Sequence, residues 1–99
     1  MSGIIQHINK AFDNRVRLGI MSVLMVNEKV DFKRLKQLLG VTDGNLASHI
    51  KALEKLNYIE VYKTFVDRKP NTSYSATRFG KEAFKEHIDA LEKLIHQQK

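Results

Sequence analysis

The sequence predicts a mainly α-helical domain that carries a small antiparallel β-hairpin. Three observations predict it. Residues 31–61 read as a short helix, a three-residue turn, a second helix with one apolar face, and a strand: a helix-turn-helix feeding a hairpin. Residues 58–66 and 72–77 are strand-like, and the polar turn between them holds the only proline. Apolar residues also recur at helical spacing before and after this block, so about five helices and a two- to three-stranded antiparallel sheet are expected.

Taken in order, Ile4, Ile5 and Ile8 suggest a short amphipathic helix. Asp13 or Asn14 can cap a longer one running to about Val26, with apolar faces from Val16, Ile20, Met21, Leu24 and Met25. Gly19 inside it costs ~1 kcal/mol relative to Ala and points to close packing against another helix. Val30 and Phe32 flank Asp31, a cap for the next helix, and allow a very short strand at 30–32.

Leu35, Leu38 and Leu39 share one face of the first helix of the pair. Gly40 can close that helix in the left-handed conformation, Val41 plugs the turn, and Thr42 can cap the second helix. Leu46, Ile50 and Leu53 then form one stripe at ~100° per residue. The opposite face carries Gly44, Ser48, Lys51 and Lys55, with Asn45 and Ala52 on a flank. It is small, polar and basic, as a helix entering a DNA major groove ~12 Å wide requires.

Asn57 stands where a left-handed residue often ends a helix. Ile59 and Val61 alternate with Glu60 and Tyr62, and Tyr74 and Ala76 share one side of the return strand. The turn at 67–71 forms a basic, exposed tip. Thr77 can cap a last helix over about 78–97, where Phe84, Ile88, Leu91 and Ile95 recur at spacings of four, three and four, widened by Ala83 and Leu94. That helix is longer than the core needs. Its seam suits a homodimer interface shared with Ile4, Ile5 and Ile8 of the first helix.

Ninety-nine residues make one domain, 1–99, divided into a helix-turn-helix at about 32–56, the hairpin at about 58–77 and the dimerisation helix at about 78–97. No run of ~18 apolar residues or signal-peptide pattern appears, so no membrane association is expected. Zero cysteines fit a reducing cytoplasm. The net charge of +6 is uneven: residues 1–30 carry +2, 31–60 carry +1, 61–80 carry +3 and 81–99 carry none. Half the excess therefore falls on the hairpin segment, where it favours a nucleic-acid partner.

Catalysis has almost no support. There is no thiol nucleophile, no phosphate-cradling glycine loop and no compact Ser/His/Asp or paired-carboxylate pattern, so no enzyme and no cofactor are expected. Of His7, His49, His87 and His96, no two have the i, i+4 spacing of a helical metal site. His87, Asp89 and His96 share the last helix, which makes an intersubunit metal site geometrically conceivable, but ordinary surface or interface histidines are the reading adopted. His49 flanks the core stripe and reads as half-buried packing.

The residues LLGVTDGNLASHIKALEKLNYIEVYK, then FVDRKP, then TRFGKEAF, resemble the winged helix-turn-helix transcriptional regulators of the MarR-like and ArsR-like type, above all the small stand-alone winged-helix DNA-binding domains. The likeness spans nearly the whole chain. Three positions depart from the usual pattern: Lys36 where a small residue is common, Asn57 where Gly is, and Ala76 where a larger apolar residue is. The resemblance implies a homodimer on a roughly two-fold operator of double-stranded DNA. Thr42, Gly44, Asn45 and Ser48 would lie nearest base edges and phosphates. Lys33, Arg34, Lys36 and Lys51 would meet the backbone. Arg68 and Lys69 would reach the adjacent minor groove or its phosphates, and Asn71 and Thr72 would add hydrogen bonds. A dimer cleft between first and last helices could admit a small-molecule effector. The alternative is a winged-helix module that holds a protein partner without reading DNA sequence.

Overall fold

The computed structural model describes residues 3–96, without the side chain of Ile4; position 97, the expected end of the last helix, lies outside the described residues. Two short 3-10 turns, Ile4–His7 and Lys10–Phe12, precede helix α1 (Arg15–Val26), strand β1 (Val30–Asp31), helices α2 (Phe32–Leu39) and α3 (Asp43–Lys55), strands β2 (Ile59–Val66) and β3 (Lys69–Ala76), and helix α4 (Arg78–His96). The strands form one antiparallel sheet in the order β1-β3-β2. Four α-helices therefore stand where about five were expected. The N-terminal segment is too short to recover the cost of helix nucleation. It forms two turns instead, the first lying against α4 and the second against α1.

Local chemistry sets the boundaries. Asn14 caps α1 by accepting from the backbone N–H of Val16 and Arg17. Asp31 accepts from the Arg34 N–H at 2.8 Å, and Thr42 Oγ1 from the Asn45 N–H at 3.2 Å. Gly40 ends α2 at φ 64°, a conformation a side chain would strain. Asn57 takes φ 62° after α3. The Thr77 hydroxyl accepts from the Gly80 N–H at 2.9 Å and donates to the Asn57 carbonyl at 2.6 Å, tying the start of α4 to the exit of α3.

The core surrounds α1: Ile20, Met21, Leu24, Leu35, Leu46 and Leu53 are fully buried. A Cβ on Gly19 would stand 2.8 Å from Leu39 Cδ2, so the close helix packing expected there is present. A Cβ on Gly80, the third residue of α4, would collide with the carbonyl oxygen of Tyr58, so only a glycine lets the first turn of α4 lie directly on that main chain.

Three expectations need correction. Phe84 is only 6% exposed and belongs to the core. Its ring meets Phe12 edge-on at 5.0 Å, because the second turn carries Phe12 under α4. The buried stripe of α4 is Gly80, Phe84, His87 and Ala90, leaving Ile88 and Ile95 exposed at its edge. Leu38 is exposed; only Leu35 of its trio is fully buried. The hairpin turn is two residues, Asp67 and Arg68, rather than five. Both take positive φ, 52° and 67°, as a type I′ connection requires, and Lys69, Pro70 and Asn71 continue β3.

Candidate nucleic-acid interface

Five of the twelve contact residues singled out in the sequence, Lys33, Ser48, Lys51, Asn71 and Thr72, line two adjoining grooves. Between α3 and the hairpin runs a groove of about 550 Å³. Ser48 and Lys51 line it from α3, Lys63 from β2 and Thr72 from β3, over a floor that includes Phe32, Val61 and Tyr74. Register explains the opposition. Lys63 pairs with Thr72 and Val61 with Tyr74, so these side chains leave the sheet on the same side. A second groove of about 400 Å³ adjoins it, where Lys33 of α2 meets Asn71 and Thr72 of β3. Phe32, Thr72 and Tyr74 belong to both.

Tyr74 is buried, and burial, with a smaller push from Glu54, holds its phenol above the usual range. It therefore stays a neutral donor at the floor of the groove. Glu54 is the acid that lines this groove; Lys51 and Lys63 are its cations.

The other expected contact residues take three places. Thr42, Gly44 and Asn45 are exposed at the N-terminal end of α3, where unpaired backbone N–H groups and the helix dipole favour an anion. Arg34 is exposed on α2, whereas Lys36 is engaged: its Nζ lies 2.7 Å from Asp43 Oδ1, bridging α2 to the first turn of α3. Arg68 and Lys69 are exposed at the hairpin tip, beyond both grooves. Lys63 is the residue that sequence reasoning missed. Its signal was the alternation that already put Ile59 and Val61 on one side of β2, since Lys63 is the next member of that series.

His49 is half-buried and shares a 3.1 Å hydrogen bond between its Nδ1 and Arg17 Nη1, in keeping with a packing role. His87 is 4% exposed and accepts from the Asn9 N–H through Nδ1 at 3.0 Å. Among the described residues no group of three His, Cys, Asp or Glu side chains could hold a metal ion, and no helix is long and apolar enough to cross a membrane. Of the residues expected at a dimer face, Ile5, Ile88 and Ile95 are exposed and Ile8 and Leu91 half-buried.

A helix-turn-helix with a flanking hairpin and a long last helix is the arrangement held in common by a family described as "Winged helix DNA-binding domain", whose profile matches residues 16–95. The chain belongs to this family. A protein of Methanocaldococcus jannaschii named as uncharacterised protein MJ0432 is 37% identical over 79 residues, which cover 80% of this chain and 86% of that protein. Among solved structures, a transcriptional regulator homologue from Pyrococcus horikoshii OT3 superposes with a TM-score of 0.84 at 36% identity, over 94% of this chain and 90% of that one. A candidate MarR-family transcriptional regulator from Porphyromonas gingivalis W83 shares the winged-helix fold at 19% identity (TM-score 0.67, covering 91% of this chain and 86% of that one), and an ArsR-family regulator shares it too.

Proposed function

We propose that this winged helix is a transcriptional regulator that binds DNA as a homodimer. Helix α3 enters the major groove, and the hairpin lies on the adjacent minor groove or its phosphates. The observation that carries the reading is the groove in which Ser48 and Lys51 of α3 face Lys63 and Thr72 of the hairpin. It is a concave, cationic strip with small side chains on the helix, and a duplex edge is what such a strip fits. Ser48 and Asn45 read base edges; Lys33, Arg34, Lys51, Lys63, Arg68 and Lys69 hold phosphates, with Thr42, Gly44, Asn71 and Thr72 adding polar contacts. Lys36 acts indirectly, by fixing α2 to the start of α3 through Asp43.

The exposed isoleucines on α4 and the N-terminal turn form the dimer face. Near it lies a cleft of about 470 Å³ lined by His7, Asn9, Tyr58, Phe79 and Glu86, the place for a small-molecule effector in this reading.

The test is selection of bound sequences from a random duplex pool at about 150 mM salt, where non-specific phosphate binding is weakened. A two-fold-symmetric motif is expected, and Arg68→Glu should weaken binding to every duplex alike. A folded, dimeric protein that enriches nothing would move the reading to a module that holds a protein partner.

A further inference from the structure

The hairpin tip carries an apolar surface that charge-based recognition leaves unused. Phe65 is 76% exposed, whereas every aromatic ring of the core is 8% exposed or less. It is not isolated. Phe65 pairs with Pro70 across the hairpin, and Pro70 is exposed. A two-residue loop closes on the hydrogen-bonded pair Val66–Lys69, so Phe65–Pro70 is the next, non-hydrogen-bonded pair. In such pairs the side chains stand closest, and the missing N–H of proline removes no ladder bond. Phe65 also continues the series Ile59, Val61, Lys63 and so leaves β2 on the side that forms the groove against α3.

We infer that Phe65, backed by Pro70, is an apolar contact to the minor groove, packing against its sugar walls at the edge of a base step. This rests on the DNA-binding reading above. Charge chooses the occupant: residues 61–72 hold Lys63, Arg68 and Lys69 against a single acid, Asp67, so the patch is rimmed by cations. A protein-binding patch has no need of that rim, whereas a duplex supplies phosphates on both sides of a groove ~6 Å wide. Apolar wedges from loops and strands are used on minor grooves in this way.

The experiment is an anisotropy titration of wild type, Phe65→Ala and Arg68→Gln on one selected duplex between 50 and 200 mM salt. Phe65→Ala should bind about tenfold more weakly at every salt with an unchanged log–log slope, because one buried ring is lost and no phosphate contact. Arg68→Gln should lower the slope by about one. A second readout places the contact. Exchanging A·T for G·C pairs under the hairpin puts an amino group on the groove floor and should weaken wild type, while inosine·C pairs, which lack it, should restore binding. Phe65→Ala should lose this discrimination. Equal affinity of Phe65→Ala and wild type, a loss that appears in the slope, or wild-type indifference to the amino group would overturn the inference and leave the DNA-binding reading intact. Failure of wild type to bind any duplex would sink that reading itself.

Discussion

The two ends of the hairpin differ in what holds them. At its base, Ile59 and Tyr74 are buried against α1 and α3, and Tyr58, one residue before β2, stacks on Phe12 at 5.4 Å. At its tip every residue from Lys63 to Pro70 is exposed, two backbone positions are left-handed, and the ladder to β2 is the only one there, since β1 reaches only Ser73 and Tyr74. The same two strands are thus a structural element at one end and a presented surface at the other. Stability and binding should therefore be separable by position along the hairpin.

The largest expected effect tests the base. Phe12 is 2% exposed and touches Tyr58, Phe84 at 5.0 Å and His87 at 5.3 Å. Phe12→Ala should cost about 3–5 kcal/mol in urea unfolding, a large part of what a small domain has. DNA affinity of the molecules still folded at low temperature should be unchanged. A variant that kept its stability and lost affinity would break the separation.

How far this division could be read from the sequence depends on the range of the interactions. Asn14, Asp31, Gly40, Thr42, Asn57 and Thr77 act on backbone groups within a few residues, and each does what its chemistry predicts, with Asn14 taking the cap for which Asp13 was the other option. The placement of Phe84 depends on Phe12, seventy-two positions away, so periodicity alone offered it equally to a dimer seam. The turn was misread because neither Asp67 nor Arg68 is a glycine, and Pro70 drew attention as a turn residue while sitting in a strand position that needs no N–H. Of the interface, the α3 residues were legible from the stripe opposite Leu46, Ile50 and Leu53. The alternation of Ile59 and Val61 gave the side on which Lys63 stands but not what it faces, because its partner surface exists only once β2 folds beside α3.

A smaller effect sharpens the picture of the base. Burial holds the His87 imidazole below its ordinary value of 6.5, with Asp13 opposing weakly. The unfolded chain therefore takes up this proton at higher pH than the folded one. The contribution is full above 6.5 and is lost as pH falls through that value toward the folded one. Stability measured by urea unfolding should decline from pH 7.5 to 5.5. His87→Gln, whose amide oxygen can still accept from the Asn9 N–H, should flatten that decline. An equal decline in the variant would assign the pH dependence elsewhere.

The smallest change in stability bears on the tip, and there the two properties should move in opposite directions. Asp67 and Arg68 hold positive φ without the residues that do so at least cost. Replacing them together, Asp67→Asn with Arg68→Gly, installs the favoured type I′ pair and should stabilise the protein by about 0.5–1 kcal/mol. The exchange removes one acid and one base, so net charge stays at +6. Any loss of DNA affinity must then come from the position of the Arg68 charge and not from the total. Weaker binding with a shallower salt slope and a higher melting temperature would mean that the chain keeps a strained turn in order to hold a cation there. If binding and stability rose together, Arg68 would be a turn residue only, and the cationic work of the hairpin would fall to Lys63 and Lys69.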